Sequence, residues 1–518
     1  MKIVTAEEAV SYIKDGDVVA TGGFTTTNLP WELLHALRDR FIKIGKPRDL
    51  TFIGPAGQSG GKGVGFDAVG IEGLAKRLIM SHSGKAPQIS DLIMNNKVLC
   101  YCFPQGVISQ MFRDITAKRP YLITHTGLGT FVDPRVEGGK VNEITKKAED
   151  MVELVKYGGG EYLRYKTVPV NFALIRGTTS DEKGNISMEK EGVTLENLSI
   201  AQATRTCGGI VVVQVERVIK GLLPSREVKI PGIFVDYVVV ATKPEYTWQT
   251  VRIAYDPAIA GVTRTPPSAA EPKPLDERKI IGRRAAMELG EGAMVNLGIG
   301  MATEVANVAM EENIYEKFTL TVESGVIGGI PLSALDFGCG VNYEALIDQP
   351  YQFDFYQGGG LDLAFLGLAQ ADEDGNINVS KFGGRFAGCG GFIDITQNAK
   401  KVVFCGTLTT KGLEVGVEGG KLKILQEGSI KKFVKRVEQI TFSGEYARKH
   451  GQEVLYVTER AVFRLGKEGM VLEEIAPGID LKKDVLAQIE FSPIPSKDLK
   501  LMDEKIFKKE KMGLQPKK

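Results

Sequence analysis

The two halves of this chain carry the same pattern of strand and glycine signals, and a duplication narrows the choice of fold sharply. Lys14-Asp15-Gly16-Asp17-Val18-Val19, followed by Gly22-Gly23, matches Glu291-Gly292-Ala293-Met294-Val295, followed by Gly298-x-Gly300. Leu174-Ile175-Arg176-Gly177 through Asp181-Glu182-Lys183-Gly184-Asn185-Ile186 matches Phe365-Leu366-Gly367 through Asp372-Glu373-Asp374-Gly375-Asn376-Ile377. Gly208–Val213 has a looser partner in Asn398–Val403. The repeat is half a chain long, which indicates one duplicated unit and not a solenoid array. Each copy reads as strand, glycine turn, helix. The expected fold is therefore α/β, with two related open lobes on one chain.

The order of signals places the boundaries. Thr5-Ala6-Glu7-Glu8 has capping-box spacing and opens a helix running through Ile13. Val18–Ala20 and Leu50–Ile53 read as strands, Trp31–Ile42 as a helix, and Gly54–Gly65 as a glycine-rich segment. The prolines of Thr265–Pro274 stiffen the backbone and read as a spacer between domains. A helix is predicted from Asp276 to Leu289. This gives an N-terminal lobe at 1–264, a linker at 265–277 and a C-terminal lobe at 278–518, in keeping with a length of 518 residues.

Composition excludes several partners. Lys plus Arg is 65 against 64 for Asp plus Glu, a net charge of +1, so nothing favours nucleic acid or an anionic membrane. The first residues lack the apolar core of a signal peptide, and no apolar run is long enough to span a bilayer. The six cysteines are scattered without a C-x-x-C pair and read as reduced thiols of a cytoplasmic protein. The four histidines show no ligand spacing, so no metal site is expected. Gly57-Gln58-Ser59-Gly60-Gly61-Lys62 is not a P-loop, because Ala56 stands where the first glycine belongs and Gly63 follows the lysine. Gly298-Ile299-Gly300 lacks the third glycine of a dinucleotide fingerprint, with Thr303 in its place.

The chemistry points to Thr321–Pro331. Phe318–Val322 alternates threonine with apolar side chains and reads as a strand, which runs into Glu323, three glycines and a proline. A carboxylate where a buried strand meets a glycine turn is held rigidly and partly desolvated, which suits a nucleophile. A solvated glutamate in an ordinary turn fits the same residues.

The wording Glu323-Ser324-Gly325-x-x-Gly328-Gly329-x-Pro331 resembles the glutamate motif of the family I coenzyme A-transferases, in particular the acetate/propionate group with both halves on one chain. The resemblance extends to about Ile494. It implies a CoA-transferase/NagB-like fold and a covalent glutamyl-CoA thioester on Glu323. It implies that Gly388, Gly390 and Gly391 lie beside the glutamate and supply backbone N–H groups, and that Gln105, within Phe103-Pro104-Gln105-Gly106, orients the thioester. Gly22, Gly23, Phe24, Gly298, Gly300, Gly359, Gly360, Lys381 and Arg385 would bind substrate. Each glycine loop taken alone is also an ordinary tight turn at a strand end. Asn28 departs from the pattern, where some relatives are expected to have glycine.

By this resemblance Glu323 attacks an acyl-CoA, and CoA moves to a second acid such as acetate, propionate, butyrate or lactate. No metal or other cofactor is needed, and each oxyanion donor contributes about 3 kcal/mol. The partners expected are acyl-CoA and short-chain carboxylic acids, with a homo-oligomer, a tetramer by resemblance. An acyl-CoA hydrolase using the same glutamate is an alternative, as is a non-catalytic sugar-phosphate or CoA-sensing module. A constant offset lays Leu50–Ile53 over Phe318–Thr321, Gly57 over Gly325 and Pro55 over Glu323. Proline offers neither nucleophile nor N–H, so one active site per chain is expected, with the first lobe covering the acyl end across the lobe interface. The Lys/Glu-rich tail, Ser496–Lys518, reads as a solvated helix or frayed end.

Overall fold

The computed structural model describes residues 1–265 and 273–518. Most of the expected proline-rich linker, residues 266–272, lies outside the described residues. The chain forms two compact units. Unit 1 comprises Met1–Thr265, Val322–Asp354 and Arg385–Asp394, and unit 2 comprises Pro266–Thr321, Phe355–Gly384 and Ile395–Lys518. This division departs from lobes at 1–264 and 278–518. Two segments of the second half, carrying Glu323 and Gly388–Gly391, belong with the first half. The physical reason is where their apolar side chains are buried: Val322, Val326 and Phe337 share a core cluster with Phe24, Ala56, Val193 and Leu195.

In unit 1 the strands β1 (Lys2–Ile3), β2 (Val18–Thr21), β3 (Leu50–Gly54), β4 (Ala75–Met80), β5 (Leu99–Cys102), β6 (Phe172–Arg176), β7 (Ile210–Val215) and β8 (Tyr237–Val240) form one sheet. Their order is β1-β8-β7-β6-β2-β3-β4-β5, and every neighbouring pair is parallel. A parallel sheet buries both faces, which explains the uninterrupted apolar runs Phe172–Ile175 and Val211–Val213, all buried. Helices α1 (Ala6–Ser11), α2 (Trp31–Ile44), α3 (Gln105–Thr116) and α4 (Asn197–Thr206) belong to this unit. Thr5 caps α1, accepting from the Glu8 amide at 3.1 Å as the capping-box spacing predicts, although the helix ends at Ser11. Helix α3 buries Val107, Ile108, Met111, Phe112 and Ile115 and packs on α4, which packs on β6. Each such side chain, fully buried, contributes roughly 1.5–3 kcal/mol.

Unit 2 contains helix α5 (Glu277–Ala286) and strands β9 (Met294–Leu297), β10 (Thr319–Thr321), β11 (Leu363–Gly367), β12 (Lys401–Cys405), β13 (Glu453–Val457), β14 (Ala461–Leu465), β15 (Met470–Ile475) and β16 (Ile494–Leu501). They run in the order β10-β9-β11-β12-β13-β14-β15-β16. The first five are mutually parallel, β14 is antiparallel to both neighbours, and β16 returns parallel to β15. Asp276 caps α5, its Oδ1 accepting from the Lys279 amide at 2.9 Å.

The duplication is written into the ladders. In unit 1 Val18 pairs with Thr51, Thr21 with Leu174 and Phe172 with Ile210. In unit 2 their counterparts pair in the same register: Met294 with Thr319, Leu297 with Phe365 and Leu363 with Lys401. The side chains follow. Asn171 Oδ1 accepts from the Val18 amide at 2.8 Å, and Asp362 Oδ2 accepts from Met294 at 2.8 Å. The Asp181 and Asp372 turns are built alike, each Oδ1 taking the amide four residues on, at 3.0 and 2.9 Å. The looser third match is off by one residue, since Ile210 corresponds to Lys401 and not to Lys400.

The tail is neither a solvated helix nor a frayed end. It includes β16, and Met502, Ile506, Phe507 and Met512 beyond it are buried. The buried Arg283 guanidinium donates to the Ile506, Lys508 and Glu510 carbonyls at 3.2, 2.5 and 2.9 Å. The lysine-rich wording hides an apolar face. Ile395 and Thr396, which follow the second-half glycine loop, close a short helix.

Candidate active site

Strand β10 hands the chain to a turn whose geometry only glycine tolerates. The Val322 amide donates to the Val326 carbonyl at 2.9 Å, and the Gly325 amide donates to the Val322 carbonyl at 3.0 Å, so Glu323 and Ser324 form the corner. Gly325 has φ +111°, and a Cβ there would stand 1.9 Å from the Ile347 carbonyl oxygen. The Ile347 amide donates back to the Gly325 carbonyl at 3.0 Å. Val326–Ile327 pairs with Ala345–Leu346. Ser324 Oγ, fully buried, donates to the Gly338 carbonyl at 2.6 Å. Glu323 itself is 7% exposed. The turn that carries Glu323 is thus held from both sides by backbone, and the residue is largely shielded from water.

The loop after β2 packs on this turn. Phe24 lies in the core cluster with Val322 and Val326, its ring 5.8 Å from that of Phe337. Gly22 lies so close to Asn197 that a Cβ would stand 2.2 Å from Asn197 Oδ1, and Gly23 has φ +126°. Asn28, the departure from the expected glycine, has φ +55°. Asparagine is among the few residues that adopt this conformation readily, so the substitution keeps the loop shape and adds a side chain. Asn28 Oδ1 accepts from Asn197 Nδ2 at 2.6 Å, while Asn28 Nδ2 is buried with no partner among the described residues.

Gln105 opens α3. Its amide donates to the Gly390 carbonyl at 3.0 Å, and the next amide, Gly106, donates to Asp394 Oδ2 at 3.0 Å. Asp394 lies in the short helix α7 (Phe392–Thr396), reached after helix α6 (Gln349–Gln357). A carboxylate at the first turn of α3 complements the positive end of the helix dipole. The structure therefore brings Gln105 and the Gly388–Gly391 loop together. Within that loop the Gly390 amide donates to the Ser81 carbonyl at 2.9 Å and is not available to a substrate oxygen. The amides of Gly388 and Gly391 are not engaged among the described residues. Gly388 runs antiparallel to His82, and a Cβ on it would stand 2.3 Å from the Ser81 carbonyl. Burial holds the His82 imidazole near pKa 4, so it is neutral beside the loop.

The remaining predicted residues divide between the two units. Gly298, Gly300, Gly359, Gly360 and Lys381 belong to unit 2, and Arg385 to unit 1. The Gly298 amide donates to the Phe365 carbonyl at 2.8 Å, and Gly300 has φ +88°. Gly360 packs against the Phe355 ring, 2.3 Å from where its Cβ would be. Lys381 is half-buried and Arg385 exposed, and neither forms an ion pair among the described residues. No group of three or more His, Cys, Asp or Glu among the described residues is placed to hold a metal ion.

Sequence reasoning missed Gln349 and Glu196. Gln349 Oε1 accepts from Gln105 Nε2 at 3.0 Å, and Gln349 Nε2 donates to Glu196 Oε2 at 2.6 Å. No local signal marks either residue, since the partners are 244 and 153 positions apart.

A caffeate CoA-transferase from Acetobacterium woodii is 50% identical to this chain, over 99% of it and 98% of its own length. The chain belongs to the coenzyme A transferase family. The profile of that family, Coenzyme A transferase, matches residues 3–241. The acetate CoA-transferase YdiF of Escherichia coli K12 is 43% identical over 99% of this transferase and 96% of its own length. The crystal structure of the acyl-CoA transferase YdiF from E. coli O157:H7 as a thioester complex with CoA superposes with a TM-score of 0.92, at 42% identity, over 100% of this chain and 98% of that one. The two-lobe α/β fold expected from the sequence is the fold of this family, and the chain is an enzyme that transfers CoA to carboxylic acids. No described helix of the transferase is long and apolar enough to cross a membrane.

Proposed function

We propose that Glu323 is the nucleophile of a ping-pong transfer of CoA from a short-chain acyl-CoA to a second carboxylic acid. The observation that carries this reading is the Glu323 corner: a buried carboxylate on a turn that Gly325 makes possible, in the unit that also holds Gln105 and the Gly388–Gly391 loop.

Glu323 attacks the acyl carbonyl carbon, the C–S bond breaks, and CoA thiolate leaves an acyl-glutamyl anhydride. The thiolate attacks the Glu323 carbonyl carbon and expels the donor acid as its carboxylate, leaving glutamyl-CoA. The acceptor carboxylate attacks that thioester and expels the thiolate. The thiolate then takes the new acyl group and frees Glu323. Each tetrahedral step places negative charge on an oxygen, and the Gly388 and Gly391 amides are the donors for it, each worth about 3 kcal/mol when well aimed. Gln105 orients the thioester. Asn28 Nδ2, buried and unpartnered among the described residues, is a donor for a substrate oxygen. Lys381 and Arg385 suit the CoA phosphates because no carboxylate among the described residues neutralises them. Gly22, Gly23, Phe24, Gly298, Gly300, Gly359 and Gly360 bind substrate. No metal or cofactor takes part. Binding energy from the CoA arm serves the reacting centre. The shielding of Glu323 from water favours transfer over hydrolysis.

The enzyme works in the cytoplasm as a homo-oligomer, a tetramer, which light scattering tests. The acids named for its relatives, acetate and caffeate, differ in size. Initial rates over acceptors from acetate to lactate and caffeate, with acetyl-CoA as donor, identify the preferred acid. Incubation with acyl-CoA alone should raise the intact mass by one CoA less water, mapped to Glu323. A cysteine adduct, or none, refutes the mechanism. Double-reciprocal plots at several acceptor concentrations should be parallel.

A further inference from the structure

Glu196 is the one residue of the Gln105 network whose surroundings do not suit its charge. It is 1% exposed. Its Oε2 accepts from Gln349 Nε2 at 2.6 Å and lies 3.5 Å from Ser109 Oγ on α3, while Oε1 has no partner among the described residues. No lysine, arginine or histidine contacts it among the described residues. The charged groups nearby are mostly carboxylates. Asp348, beside Gln349, accepts from Thr194 Oγ1 at 2.6 Å and feels Lys229. Asp394 faces the first turn of α3. In the last turn of α3, Arg113 is already paired with Asp354 at 2.7 Å. A buried carboxylate with one bare oxygen and no cation is the costly form, and the carboxylic acid is the form the site accommodates. Burial, reinforced by Asp348, raises the Glu196 pKa to about 8.

The acid differs from the carboxylate in being able to donate. An ionised Glu196 only accepts, so Gln349 must turn Nε2 to it and Oε1 to Gln105, and Gln105 must spend an N–H on Gln349. A protonated Glu196 donates to Gln349 Oε1. Gln349 then offers Nε2 to Gln105 Oε1, and both N–H groups of Gln105 are released. The exchange needs only a half-turn of two amides, in each of which Oε1 and Nε2 trade places. Gln105 Oε1 lies 3.9 Å from where a Gly390 Cβ would stand, so the edge chosen is the edge presented to the glycine loop. We propose that Glu196 is a positioning residue: its proton, relayed through the Gln349 amide, turns the donor edge of Gln105 towards the glycine loop. This rests on the reading of Gln105 given above.

The test is the pH dependence of adduct formation on Glu323, measured in single turnovers with acyl-CoA for the full-length enzyme and for Glu196→Gln, Glu196→Ala and Gln105→Ala. Wild type should lose rate, about tenfold, as pH rises through about 8. Glu196→Gln mimics the neutral acid, so it should match wild type at pH 7 within about threefold and hold its rate above pH 8. Glu196→Ala should be slower by about tenfold at every pH, with little change in KM. An alkaline limb that persists in Glu196→Gln overturns the proposal, as does a folded Glu196→Gln no better than Glu196→Ala. If Gln105→Ala forms the adduct at the wild-type rate, the Gln105 reading fails and this proposal with it. If Gln105→Ala is slow but the limb persists in Glu196→Gln, only this proposal fails. Should Glu196→Gln not fold, the infrared carbonyl band of a buried carboxylic acid in wild type, present at pH 7 and lost above pH 8, reads the same proton, and its absence at pH 7 overturns the proposal.

Discussion

The carbonyl oxygen of Ile347 lies 1.9 Å from the position a Cβ on Gly325 would occupy, while the Ile347 amide holds the Gly325 carbonyl at 3.0 Å. Both contacts involve backbone, so no side-chain rotation relieves a substitution. Gly325→Ala must also adopt φ +111°, which costs roughly 1–3 kcal/mol before the clash is counted. The variant should melt several degrees lower and form no Glu323 adduct. Wild-type adduct formation in this variant contradicts the claim that the turn sets the carboxylate.

Glu323→Gln keeps the shape of the corner and removes the nucleophile. Transfer should fall by roughly 10⁴-fold or more, with an unchanged melting temperature. Titration of wild type with acyl-CoA should trap one CoA per chain. A value near two places a second nucleophile in the first half, where the matched register of β3 and β10 puts Pro55 in the position of Glu323.

Glu288 gathers three cations in unit 2. Arg284 and Lys401 reach it at 2.8 and 2.9 Å, and Lys517 of the tail also pairs with it. Although burial opposes charge, these cations, Arg284 foremost, hold its pKa near 2, below the 4.5 of an ordinary glutamate. A depressed pKa stabilises the fold fully above pH 4.5, and the gain is lost as pH falls through about 2. The shift corresponds to roughly 3 kcal/mol. Urea unfolding from pH 7 to pH 2 should show a steeper loss for wild type than for Glu288→Gln, which starts lower. Parallel curves count against the cluster.

Removing residues 502–518 should unfold much of unit 2. The Arg283 guanidinium would lose the Ile506, Lys508 and Glu510 carbonyls and stay buried. An uncompensated buried charge costs roughly 3–5 kcal/mol. The truncated chain should therefore melt well below wild type, and Arg283→Met introduced into the truncated chain should recover part of the loss. An unchanged melting curve after truncation means the tail contributes nothing.

The sequence by itself determined what depends on neighbours in the chain. Strand alternation, glycines at positive φ and the spacing of the two copies are local signals. They were sufficient to read a duplicated α/β fold, the Glu323 corner, the capped start of α1 and the helix α5. They also carried the register, because equal offsets in equal strands give equal ladders. Tertiary structure alone decided which groups were left to do chemistry. The Gly390 amide counts as a donor on paper until the Ser81 carbonyl takes it. The tail reads as solvated until an arginine more than 200 residues away donates to its backbone carbonyls. Glu196 carries no local signal at all, and only burial beside Gln349 leaves one of its oxygens bare. In each case the deciding partner lies far away in sequence. Hydrogen-bond satisfaction and desolvation depend on what surrounds an atom in space, and no local pattern of residues encodes that.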